Sequence, residues 1–464
     1  MPRRIAVTVL AFVLATAVPA RAQAWRAGID SRVELMSILF RLAGNPEYRQ
    51  CRTPAYDQAI EKYFAAYRDH DAVQMAHALS IGFEAPMKLA VNLRDASTLA
   101  ELIPFDGKGI YLYQGWNAAK ARDFLAAARR FEADANYPAF LQSQQPLFNA
   151  INANLVAFLK NDTDLAWFAR FFASSPPARI AIIPGLANGA SSYAARVIDG
   201  SGAEEIYAIP GISAVDAKGI PVFDAEYRNL MVHELANVYV SRAAGKFANQ
   251  MEAAAKQIYA PVTDAMQRQS YASWRLMVNQ SLARAAAIEY IIEHDSPEAA
   301  RAMVWRENAQ SFFWMGNLVD LFETYRNDRD EYPTFESFMP RVVDFFNDTA
   351  PNIQDMIGRL QPKVISTSIP DGANGVDPAT NAIVVRFSMA MNRVGPGRGA
   401  KASGGRFDAG GTAVTIPVTL EPGRDYAIPL RWSGGQAFVS ADGVPLPATV
   451  LKFRTAAAPA AQKQ

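Results

Sequence analysis

His233, Glu234 and Asn237 stand at the spacing of a zinc-binding helix whose second imidazole has been replaced by an amide. In a His-Glu-x-x-His helix the two imidazoles are four residues apart, and the 3.6-residue period brings both nitrogens to one face, where they hold one metal ion. The glutamate after the first histidine takes a proton from the metal-bound water, and the chemistry is metal-assisted hydrolysis. Here the run is His233-Glu234-Leu235-Ala236-Asn237, so the first ligand and the base are present. An amide oxygen is a hard, weak donor where zinc prefers imidazole, thiolate or carboxylate. The same five residues therefore point to a hydrolytic ancestry and argue against the activity.

The elements around this pair must position it. Asp224 is a fitting N-cap for the His-Glu helix, which runs without Gly or Pro as far as Gly245, a residue suited to the C′ position. Before it, residues 179–183, 193–198 and 205–209 are short apolar runs between glycine-rich turns and read as a small sheet. Asn188, Gly189 and Tyr193 belong to a polar turn near the edge of that sheet, a candidate substrate-binding loop. From residue 33 to 170 the apolar spacing is helical, with breaks at 44–46 and 174–177. Further helices are expected over 271–293, 297–308, 318–325 and 335–346. From Pro362 the composition shifts to glycine, proline and β-formers, and strands at 383–387, 414–420, 426–432 and 450–453 have the spacing of a sandwich.

Composition narrows the function classes. Residues 1–22 carry a basic start, an apolar run and a small-x-small end, the pattern of a cleaved signal peptide, so the mature chain is expected to be exported to the periplasm or beyond. No later stretch has the roughly 20 apolar residues of a membrane helix. The 46 basic and 45 acidic residues leave almost no net field, which argues against a nucleic-acid partner. The single cysteine, Cys51, excludes an intramolecular disulfide and a cysteine-based zinc site.

Residues 34–48, 232–240 and 325–339 resemble a bacterial family, domain of unknown function 4932, with a gluzincin-type site in which a His-Glu-Phe-x-His-like helix precedes a downstream glutamate. The resemblance implies a zincin-like domain, and it places the third zinc ligand at Gln280, within Asn279-Gln280-Ser281-Leu282-Ala283-Arg284-Ala285. That position also carries an amide. The later segment resembles bacterial Ig-like modules of the SbsA type through four ordered matches at 362–376, 387–391, 420–426 and 451–455.

The expected organisation is thus α+β: a signal peptide (1–22), a mainly helical zincin-like domain with a small sheet (23–360), an Ig-like β-sandwich (361–456) and a tail (457–464). The expected function is a catalytically degenerate metallopeptidase-like protein, without a bound cofactor, whose cleft takes a peptide or cell-envelope polymer. Two alternatives stand beside it. One is an active zinc endopeptidase with a non-standard ligand set, His233 on the metal and Glu234 as base. The other is a structural or adhesive module. Glu226, Glu289, Glu293 and His294 lie on or near the two helices as conceivable rescue ligands, but the spacing of Glu289 and His294 from Gln280 argues against them, and all four read as solvated. His70 and His77, and the aromatic set Trp305, Phe312, Phe313 and Trp314, read as structural.

Overall fold

The computed structural model describes residues 25–79, 84–106, 116–173, 178–188, 191–393, 405–431 and 437–457. The expected signal peptide, the break at 174–177, Gly189 and the tail from 458 lie outside the described residues. Among the described residues, no helix is long and apolar enough to cross a membrane.

The architecture is mixed α+β and mainly helical. A four-stranded sheet is built from β1 (Trp25–Ala27), β2 (Arg179–Ile182), β3 (Tyr193–Ile198) and β4 (Glu204–Ile209), in the order β1-β2-β4-β3. β1, β2 and β4 run parallel, and β3 closes one edge antiparallel to β4. β2, β3 and β4 fall where the apolar runs place them. β1 has no such signal, because three residues cannot show a period and only their pairing with β2 makes them a strand.

β3 and β4 pack on the long helix Ala225–Tyr259, which carries His233. This helix does not stop at Gly245 but runs 14 residues further. A helical glycine costs only about 1 kcal/mol relative to alanine. Beyond it, Ala248, Met251, Ala255 and Ile258 continue the buried stripe, so packing outweighs the local stop signal. The same helix packs along helix Trp274–His294 and against Phe335–Thr349, while Trp274–His294 packs against Pro297–Ala309 and Met315–Asn327.

After helix Ile353–Leu360 the chain becomes strand-rich. β5 (Val364–Thr367), β6 (Ala373–Val376), β7 (Ala382–Phe387), β8 (Arg406–Phe407), β9 (Ala413–Pro417), β10 (Asp425–Pro429) and β11 (Val450–Thr455) form two sheets, ordered β10-β11-β6 and β5-β7-β9-β8. Ile383, Val385, Phe387, Val414, Leu451 and Phe453 belong to their separate apolar core. The region docks on helix Pro297–Ala309. Asn308 Nδ2 donates to the Asp442 carbonyl at 2.9 Å, and Val444 joins the core of the helical part. Gly443 adopts φ +81°, and a Cβ there would lie 2.2 Å from the Trp305 carbonyl oxygen, so the approach needs glycine.

Two carboxyls in the helical core make stability pH-dependent. Burial pushes Glu34 up to about 7, although Tyr56 donates to it at 2.5 Å, and burial pushes Glu289 up to about 7 against the opposing charge of Arg326. The unfolded chain ionises these groups near the ordinary carboxylate value, and the folded chain resists. Their contribution is therefore fully present below about pH 4.5 and is lost as pH rises through about 7. Urea unfolding is expected to show a more stable protein at pH 5 than at pH 8, and Glu34→Gln should shrink that difference by about 2 kcal/mol. A variant with the wild-type pH profile would remove Glu34 as the cause.

Candidate functional site

The site lies where the helices Ala225–Tyr259 and Trp274–His294 pack together. The first begins at Asp224, whose carboxylate accepts from the Tyr227 N–H at 3.1 Å, as its cap position requires. The second begins at Ser273, whose hydroxyl accepts from the Leu276 N–H. His233 and Glu234 are neither sealed in nor open, with side chains 23% and 13% exposed. Asn237 and Gln280 are half-buried as well. Asn237 is one turn beyond His233, on the same helix face.

The structure brings His233 and Gln280 together, with Nε2 3.1 Å from Oε1. Arg284, one turn beyond Gln280, donates from Nη1 to that same Oε1, and its Nη1 is 3.4 Å from His233 Nε2. The guanidinium is fixed on its other sides too. Nε bonds Glu307 at 2.6 Å, Nη2 donates to the Tyr271 hydroxyl at 3.1 Å, and the plane lies 4.6 Å from the centre of the Phe312 ring. Burial opposes the charge on Arg284, but the Glu307 carboxylate and the Tyr271 hydroxyl outweigh it and raise its pKa.

This network orients the Gln280 amide. Arginine can only donate, so Gln280 must turn its oxygen, and not its NH₂, toward Arg284. That oxygen lies 3.1 Å from His233 Nε2, which is also 3.4 Å from Arg284 Nη1, so a protonated Nε2 would donate to the amide and a bare Nε2 would accept from the guanidinium. Nδ1 lies 3.6 Å from Glu234 Oε1.

The residues present do not fit zinc. Gln280 Oε1 is taken by an Arg284 N–H, the guanidinium, itself a cation, stands 3.4 Å from His233 Nε2, and Asn237 offers only an amide. Among the described residues no three His, Cys, Asp or Glu side chains come together as metal ligands. Of the rescue residues, Glu226, Glu293 and His294 lie at the surface. Glu289 does not. Its side chain is fully buried and 3.0 Å from Arg326, because residues 281–291 are enclosed on every face and solvent is not available to it.

Asn188 and Tyr193 are 0% and 2% exposed, so neither is presented at the surface. His70 caps a helix by accepting from the Ala72 N–H, and His77 bonds the Ala43 carbonyl. Phe312, Phe313 and Trp314 are core. Burial pushes the Cys51 thiol up to about 12, which leaves no thiolate for nucleophilic chemistry.

Sequence reasoning missed Arg284, Glu307 and Tyr271. A signal existed for the first: Arg284 is a lone charge in the run Leu282-Ala283-Arg284-Ala285-Ala286-Ala287-Ile288, four residues beyond Gln280. A charge in a fully apolar helix must find an internal partner. Nothing local identified Glu307 as that partner, since the pair spans 23 residues and two helices.

No curated protein matches the chain. The crystal structure of the S-layer protein rSbsC(31-844) is 15% identical over 75% of this chain, which spans 42% of that one, but a TM-score of 0.16 carries no structural argument. A family model described as a domain of unknown function, DUF4932, matches residues 27–345, and the chain belongs to that family.

Proposed function

We propose that this chain is an exported, zincin-like protein that has exchanged metal catalysis for binding, and that it takes an extended peptide or cell-envelope polymer beside the His233 helix. The observation that carries the reading is the closed network of His233, Gln280, Arg284 and Glu307. It uses for hydrogen bonding the atoms that a metal centre would need as ligands. Without a metal to acidify water, Glu234 has no activated nucleophile to serve. β3 supports the binding part. It is an edge strand of six residues, packed on the His233 helix, and an extended chain can add to such an edge through main-chain hydrogen bonds. In this reading the C-terminal sheets form an Ig-like module that presents the helical part.

Metal analysis and proteolysis assays of the purified mature chain test the reading. The expected result is less than stoichiometric zinc and no chelator-sensitive cleavage of an unfolded protein substrate. Stoichiometric zinc with cleavage that a chelator stops would refute it.

A further inference from the structure

A polar cavity of about 470 Å³ opens on the four-stranded sheet, and none of the His233 network lines it. Strand register builds it. Arg26 of β1 and Tyr207 of β4 both pair with Ala181 of β2, while Arg179 of β2 and Val197 of β3 both pair with Glu205 of β4. Side-chain alternation therefore puts these residues on one sheet face. Residues 29–32 and 93–95 supply the facing wall.

Arg26, Arg32, Arg94 and Arg179 line the cavity together with Asp30, Asp95, Asp199 and Glu205, so its formal charge is zero. The two signs are not equally available. Asp30 is held by the Arg32 backbone and guanidinium, at 2.6 Å for the shortest bond. Glu205 takes Arg26 Nε at 2.9 Å and the Tyr207 hydroxyl at 2.6 Å. Asp95 accepts from Ser97 and Thr98, and Asp199 from Ser201 and Ala203, each within its own turn. The acceptors are thus already committed.

The donors are not. Arg179 is 61% exposed and reaches the Asp199 carboxylate only at 4.0 Å. Arg94 uses Nε and Nη2 on the carbonyls of Glu101 and Leu102, which leaves Nη1. Arg26 uses Nε and Nη2 on Glu205, and its Nη1 reaches Asp30 only at 4.0 Å. Both the Arg26 and Arg32 guanidinium groups also stack on the Tyr207 ring, 5.2 and 5.7 Å from its centre, which fixes their planes before any ligand arrives.

We propose that this cavity is an oxyanion-binding site, in which Arg26, Arg94 and Arg179 donate to a phosphate or carboxylate carried by a sugar-sized unit. The volume suits one such unit, and the held guanidinium planes of Arg26 and Arg94, with the exposed Arg179 beside them, present N–H donors in the geometry that oxyanions accept. The site is independent of the metal question at His233.

Calorimetric titration of the full mature chain with inorganic phosphate, galacturonate and uncharged galactose tests it. Phosphate, galacturonate or both should bind, and the tighter of the two identifies whether the site prefers a phosphorylated or a carboxylated group. Galactose should not bind. Arg179→Ala should weaken binding by about tenfold and Arg94→Ala with Arg179→Ala by about a hundredfold, with circular dichroism unchanged, and added NaCl should weaken the wild type. Failure of both anions to bind, equal binding of galactose, or affinity indifferent to the arginine substitutions would overturn the proposal.

Discussion

Arg284→Met is expected to lower the stability of the chain by about 3–5 kcal/mol, the cost of leaving one member of a buried ion pair without its partner. The side chains of Arg284 and Glu307 are 9% and 8% exposed, so water cannot replace the lost charge. The loss extends beyond the pair. Gln280 Oε1 would lose its guanidinium donor, and Tyr271 would lose its charged partner. The double variant Arg284→Met with Glu307→Leu should recover most of the loss, because apolar groups of similar volume often replace a buried pair at little net cost. Arg284→Lys separates charge from geometry: one ammonium cannot reach Glu307, Gln280 and Tyr271 together, so it should retain only part of the stability. Urea unfolding of the four proteins decides the matter. A single-variant loss below about 1 kcal/mol, in the range of exposed pairs, would mean that the network is solvated in solution.

That network shows what the sequence could and could not disclose. Asp224 announced the start of the His-Glu helix through side-chain chemistry alone, and β3 was legible as a short apolar run between glycine-rich turns. Local rules suffice where the deciding interactions are local. Gly245 misled because its weak stop signal competes with a buried stripe that only the packed neighbour makes valuable. Glu289 misled for a related reason: helical period places it opposite Gln280, but period cannot say that the opposite face is also covered, here by the helix carrying Arg326. At the candidate site, the two amides were visible as residue types, but only the family resemblance, and no local rule, put Gln280 beside His233. The arginine that organises both was not, since its partners come from three separate stretches of chain.

Restoring both amides to ligands, Asn237→His with Gln280→Glu, is expected to create a zinc site whose affinity exceeds that of the wild type by at least about 10³-fold, given that even outer-shell partners of a metal are worth about 10–100-fold each. The backbone already holds the right frame. Residue 237 is one turn from His233, and residue 280 already brings its side-chain oxygen to 3.1 Å from His233 Nε2. A carboxylate at 280 has two oxygens, so one can remain on Arg284 while the other turns to the metal, and the arginine then orients the ligand instead of closing the network. Zinc takes only unprotonated imidazole nitrogens and an ionised carboxylate, so its uptake should strengthen with pH. Each single variant should fall well short of the pair, because one added ligand leaves the other position an amide. Metal content after dialysis, and the visible spectrum of the cobalt-loaded protein, report affinity and tetrahedral geometry without relying on activity. If the paired variant binds zinc no better than the wild type while remaining folded, His233 and Gln280 are a structural pair, and the ancestry drawn from the His-Glu motif fails with it.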